Sequence, residues 1–146
     1  MARYNFAEGI LELPPGWSDQ TVTMLVKGKP ETAPAATYSL VINREALQQP
    51  FEESVEQNLA VCKRTLPSFK IVKSAAAEIG ELPARDVEFS WRKDGATVLQ
   101  RIVFIHYPGT IVIVTLSAGA ASWTEGKDEL EGMLMSMRFR KPEAAP

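Results

Sequence analysis

The sequence predicts an α+β fold: an antiparallel sheet of about seven strands flanked by two main helices. Three observations carry this. Runs rich in β-branched residues alternate apolar and polar side chains with period two, in both the first and the last third of the chain. Two stretches between and after them switch to the spacing of a helical face. The later strand-like runs are joined directly by Asp94-Gly95 and Pro108-Gly109, tight-turn pairs that leave no room for a crossover, so neighbours are antiparallel.

Strands are expected at Ile10–Leu13, Thr21–Lys27 and Thr37–Asn43, the first two separated by Pro14-Pro15-Gly16 and the next by a loop from Gly28 to Pro34. Apolar residues at Phe51, Val55, Leu59, Cys62 and Leu66 then fall on one helical face. Pro50 suits the first helical position and Pro67 stops the helix. Glu52, Glu53 and Glu56 near its start, with Lys63 and Arg64 near its end, complement the helix dipole. Strands follow at Ile71–Ala77, Ala84–Lys93, Ala96–Tyr107 and Thr110–Ser117. Within the last, IVIVTL is apolar on both faces, the mark of a central strand covered on both sides. Ser122-Trp123-Thr124-Glu125 reads as a capping box opening a second helix, which buries Leu130, Met133, Leu134 and Met137 before a short Arg138–Arg140 segment. Residues 1–140 form one domain, and 141–146 read as a flexible tail.

Composition narrows the function. With 16 basic and 18 acidic residues the net charge is -2, and no basic run occurs, so neither nucleic acid nor an anionic membrane is an expected partner. The opening residues lack the apolar core of a signal peptide, and the longest apolar run is far short of the roughly 20 residues of a spanning helix. One cysteine excludes an internal disulfide and fits a reducing compartment, so the expected location is cytoplasmic, without membrane insertion.

Catalytic chemistry finds little support. Cys62 lies on the apolar helical stripe and reads as an inert core residue. His106, the single histidine, has neither the ligand partners of a metal site nor a GxSxG elbow to serve. Asp86 and Glu88 share a strand face and read as solvated acids rather than a catalytic pair. Neither glycine-rich phosphate-binding motif is present, so no enzyme activity, metal or cofactor is expected. Trp17, Trp91 and Trp123 read as packing anchors at element boundaries.

The informative stretch is QTVTMLV at positions 20 to 26. Val22, Met24 and Val26 occupy one strand face, and Thr21, Thr23 and Leu25 the other. Pattern alone favours the first set as core. The following strand points the other way: Tyr38, Leu40 and Ile42 form a fully apolar face, while Ser39, Val41 and Asn43 form a mixed one. If the fully apolar face is the core and the two strands pair in matching register, Val22 and Met24 fall beside Val41 on the opposite side.

Five pieces in order resemble one family: LELPPGWSDQTVTMLV, SLVINRE, LPSFKIVK after the first helix, G-x-x-x-A-x-x-V-E-F-S-W from Gly80, and LQRIVFI. The chain, from Tyr4 to about Phe139, resembles the DcrB-related proteins with a PsbP-like α/β/α sandwich, and within them the Eag chaperones of type VI secretion. That resemblance implies a cytoplasmic, non-catalytic homodimer. Its partner would be the hydrophobic N-terminal segment of a secreted effector, often of the PAAR/Rhs type, whose transmembrane helices it shields before loading on the secretion apparatus. It implies a helix-binding groove at Val22, Met24 and Val41, with Val26 and Ser39 on matching faces. Met24 stands where a branched aliphatic is more usual. The competing expectation is a DcrB-like, non-enzymatic module for another soluble or envelope partner.

Overall fold

The structure, a computed structural model, describes residues 2–28, 38–118 and 123–141. Strands β1 (Ala2–Phe6) and β2 (Gly9–Leu13) form a two-stranded antiparallel hairpin. The main sheet contains β3 (Thr23–Lys27), β4 (Tyr38–Ala46), β5 (Lys70–Ile79), β6 (Leu82–Lys93), β7 (Ala96–Tyr107) and β8 (Thr110–Ala118). Helix α1 (Phe51–Thr65) joins β4 to β5, and α2 (Trp123–Met135) follows β8. The order across the six-stranded sheet is β3-β4-β8-β7-β6-β5, with every neighbouring pair antiparallel.

Turn chemistry fixes the registers. Asp94 and Gly95 both have positive φ, at 50° and 80°, the type I′ geometry that suits a two-residue hairpin between β6 and β7. Gly80 and Glu81 make a second such turn between β5 and β6, with φ of 55° and 72°. A Cβ on Gly80 would sit 2.7 Å from the Phe139 ring, so glycine also admits the segment that follows α2.

The sheet is a partition between two cores. On one face α1 contributes Val55 and Leu59 against Val87, Phe89, Ile102, Phe104, Ile111 and Ile113. On the other, α2 contributes Leu130 and Leu134 against Leu40, Val103, Ile105, Val114 and Leu116. The IVIVTL strand serves both, as its sequence implies: Ile111 and Ile113 join the first core, Val114 and Leu116 the second. The helical stripe holds too, with Phe51, Cys62 and Leu66 packed around the first core. Cys62 is half-buried, and burial pushes its thiol up from the ordinary range. Its reaction with a thiol reagent at neutral pH should therefore be several-fold slower in the native protein than in urea, a difference that stopped-flow labelling measures.

Several expectations need correcting. The stretch Ile10–Leu13 does not lead through its turn into a neighbour in the main sheet; it pairs with Ala2–Phe6, a strand the alternation did not reveal. The next strand begins at Thr23 rather than Thr21, which leaves Val22 just before it. The same strand as Tyr38 runs on to Ala46, while Thr37 lies outside the described residues, as does the cap at Ser122. Met133 is exposed, because Leu130 and Leu134 alone face the sheet at that level of α2. Trp17 anchors nothing, being 71% exposed.

Asp86 and Glu88 are not simply solvated. Asp86 receives the buried Arg101 guanidinium, whose Nε donates to it at 2.8 Å and which also bonds Glu131 of α2; Glu88 lies 3.8 Å from Lys127 of α2. These carboxylates hold α2 to β6 and β7, and the two acids push the guanidinium above even its usual range against the opposing cost of burial.

Candidate functional site

One helix cannot cover a six-stranded sheet. Six strands spaced about 4.8 Å span roughly 24 Å, whereas a helix with side chains is about 10–12 Å across. The two helices are also offset, the α1 core resting on β6, β7 and β8 and the α2 core on β4, β7 and β8. Each helix therefore leaves part of its face uncovered. On the α2 face, β6 presents Asp86 and Glu88, which are tied to α2 through Arg101 and Lys127. On the α1 face, the free part is the apolar surface of β3 and β4.

Three cross-strand rows run from this floor toward the core under α1. Val26, Ser39, Ser117 and Gln100 lie in register across β3, β4, β8 and β7. Met24, Val41, Thr115 and Ile102 form the next row, and Asn43, Ile113 and Phe104 the third. Four of the five residues expected at the groove, Met24, Val26, Ser39 and Val41, are thus on one surface, and Val22 lies just before β3, outside the paired rows. Val22, Met24 and Val26 are 55%, 64% and 46% exposed, while Ser39 and Val41 are half-buried in the second strand. The register is the matching one, because β3 and β4 pair with Met24 opposite Val41 and Leu25 opposite Leu40.

Sequence reasoning missed the polar part of this floor that lies beyond β4. The Trp91 indole N–H donates to Gln100 Oε1 at 2.8 Å, and Gln100 Nε2 donates to Ser117 Oγ at 2.8 Å. This chain orients the glutamine from β7 and places its hydroxyl acceptor one strand from Ser39. Trp91 thus has a definite role as a positioning donor. Asn43 Oδ1 is buried and has no hydrogen-bond partner among the described residues. The alternation in β7 and β8 contained the signal, since Gln100, Thr115 and Ser117 are polar positions on the strand face that carries Ile102, Phe104, Ile111 and Ile113. Their convergence could not be read without the strand order.

Toward the start of α1, Ser54, Gln57 and Asn58 bound a cavity of about 600 Å³ with Gln20 and the end of β4. Its lining is hydroxyl, amide and charged, with Asp19, Arg44 and Glu45 among it, so the floor is dry in character at Met24 and wet at its α1 end. His106 is remote from the floor's polar chain; it is exposed and stacks on Phe51 with ring centroids 4.8 Å apart. Among the described residues no helix is long and apolar enough to cross a membrane.

These features define a class: an α+β sandwich of the PsbP-like kind with an apolar half-sheet edged by hydroxyl and amide groups. The DcrB family model matches residues 8–136, and the chain belongs to the DcrB family. The effector EagT6 of Pseudomonas aeruginosa is 32% identical over 123 residues, covering 83% of this chain and 84% of that protein. The crystal structure of PA94 from Pseudomonas aeruginosa, described as a putative regulator, superposes with a TM-score of 0.79 at 27% identity, covering 97% of this chain and 99% of that one. The solution structure of a cyanobacterial PsbP from Synechocystis shares the fold alone, with a TM-score of 0.51 at 8% identity over 86% of this chain and 96% of that one.

Proposed function

We propose that this protein is a cytoplasmic, non-catalytic chaperone for a type VI secretion effector of the PAAR/Rhs type. Its floor of Val22, Met24, Val26, Ser39 and Val41 shields the effector's N-terminal transmembrane helices before loading. The observation that carries this is the exposure of the large apolar side chains of Val22, Met24 and Val26 at the edge of the sheet, outside the core that α1 covers. A soluble protein rarely leaves such a strip open without a partner. Burying it against an apolar helix is favourable by about 25 cal/mol per Å², with no need for a particular sequence. Gln100, Ser117 and Ser39 place hydrogen-bonding groups at the rim of that strip, of the kind helices exchange in a bilayer. The similarity to an effector-named relative supports the choice of partner.

The working unit we propose is a homodimer. Five residues of β3 span roughly 17 Å, while a spanning helix is about 30 Å long, so one floor cannot enclose it. The β1–β2 hairpin supports the same reading. Tyr4, Phe6, Leu11 and Leu13 share one face of it, with Phe6 and Leu11 exposed, and an isolated two-stranded hairpin is marginal in water. A second copy of the chain is the partner always at hand to cover it.

The test is co-expression with an effector that begins with hydrophobic segments. A soluble complex containing two chaperone chains per effector, with the free chaperone at twice its 16.1 kDa chain mass by light scattering, is expected. An effector that stays insoluble beside abundant chaperone, or that is soluble alone, would sink the proposal.

A further inference from the structure

On the α2 face, away from the apolar floor, the described residues enclose a cavity of about 410 Å³, within the usual range for a ligand pocket. It lies between the end of β4, the β7–β8 turn and the extended segment after α2. Its base is apolar, from Ile42, Val112 and Phe139, and its rim carries Arg44, Arg138 and Arg140. Among the described residues no aspartate or glutamate lines it, although Arg44 also borders the neighbouring cavity that Asp19 and Glu45 line.

In a chain with more acidic than basic residues, three arginines left to themselves stand out. Among the described residues, none of the three guanidiniums lies within 4.0 Å of a carboxylate. Asp19 feels Arg44 only as a lesser influence at a distance; its carboxyl is held below the usual range chiefly by hydrogen bonds from Thr21. Arg138 is already ordered. Its Nη1 donates to the carbonyls of Met135 at 3.2 Å and Met137 at 2.8 Å, which caps the end of α2 without neutralising the charge. The rim therefore offers cations, one of them pre-positioned, around an apolar base.

The neighbouring backbone is open as well. Pairing between β3 and β4 ends at Thr23 opposite Ile42, so residues 43–46 have no strand on that edge among the described residues.

We propose that this cavity binds an acidic peptide segment of a protein partner. A leucine or phenylalanine of that segment seats on Ile42, Val112 and Phe139, and flanking carboxylates are held by Arg44, Arg138 and Arg140. Guanidinium groups pair with carboxylates through two parallel N–H bonds, and a free strand edge accepts an extended peptide by main-chain hydrogen bonds. The site is separate from the floor, and its occupancy does not depend on what the floor binds.

Fluorescence anisotropy with the full-length protein tests this, using a fluorescein-labelled decapeptide of alternating Glu or Asp and Leu or Phe. Its analogue with Gln and Asn at the acidic positions is the control. The acidic peptide should bind at least roughly tenfold tighter than the amide analogue, since charge-assisted hydrogen bonds are the strong ones. Arg44→Gln with Arg140→Gln should remove that advantage while leaving the melting temperature unchanged. Arg44→Lys with Arg140→Lys should keep an intermediate affinity, because charge survives and the fork does not. Equal binding of the two peptides would overturn the proposal, as would an acidic peptide indifferent to both double variants. Decanoate that binds in an arginine-dependent way when the peptide does not would overturn it equally, by assigning the cavity to a small amphiphile.

Discussion

Replacing Val22 and Met24 together by glutamine is expected to weaken effector capture by more than roughly tenfold while hardly changing stability. Both side chains are more than half exposed, so in the free protein their substitution removes little packing. Surface changes of this kind usually stay within about 0.5 kcal/mol each, a shift of a few degrees in melting temperature. In the complex the account reverses. Each glutamine pressed against an apolar helix must desolvate its amide, at about 1–3 kcal/mol, and the burial of valine and methionine is lost besides. Melting curves and effector pull-down on the same preparations read both effects. A well-folded double variant that captures effector as well as the wild type would remove these residues from the binding surface. One that unfolds would mean the strip is covered within the protein's own assembly.

The largest loss of stability is expected from Arg101→Ala. Arg101 is 6% exposed and joins Asp86 of β6 to Glu131 of α2, so its removal leaves a partly buried carboxylate without its partner and frees one tie on α2. Breaking such a buried pair costs about 3–5 kcal/mol when both ions are fully enclosed; with Asp86 22% exposed, about 2–3 kcal/mol is expected. Arg101→Met combined with Asp86→Leu should recover most of it, because apolar replacements of similar volume remove both the charge and the need for it. Urea denaturation decides the matter, and a single-variant loss below about 1 kcal/mol would show that packing alone holds α2. The guanidinium itself adds no pH dependence to this contribution. The guanidinium is raised in the folded state, so its stabilisation is complete below its ordinary range and falls only as pH rises through values no protein experiment reaches.

Much of the architecture could be read along the chain because local chemistry specifies it. Asp94-Gly95 and Pro108-Gly109 set two turns of the antiparallel meander, and the α1 stripe named its buried residues. The β1–β2 hairpin escaped notice because Ala2–Phe6 carries Arg3 and Asn5 and no β-branched residue, and its pairing is with a neighbour rather than with the core. Met133 was misassigned because helical spacing marks a stripe without saying how wide a strip of sheet the helix meets. Asp86 looked solvated because its partner, Arg101, is 15 residues distant and becomes a neighbour only through the β6–β7 register.

By itself, the sequence determined that Met24 and Val26 share a face of one strand, and that Val41 and Ser39 share a face of the next. Period two dictates that much and no more. Whether the two sets lie on the same side was decided by the register of β3 on β4. Whether that side is core or surface was decided further away still, by where α1 and α2 come to rest on a sheet about twice as wide as either helix. Alternation is a property of one strand and knows nothing of what covers it; coverage is a long-range outcome, and here it leaves the apolar strip uncovered.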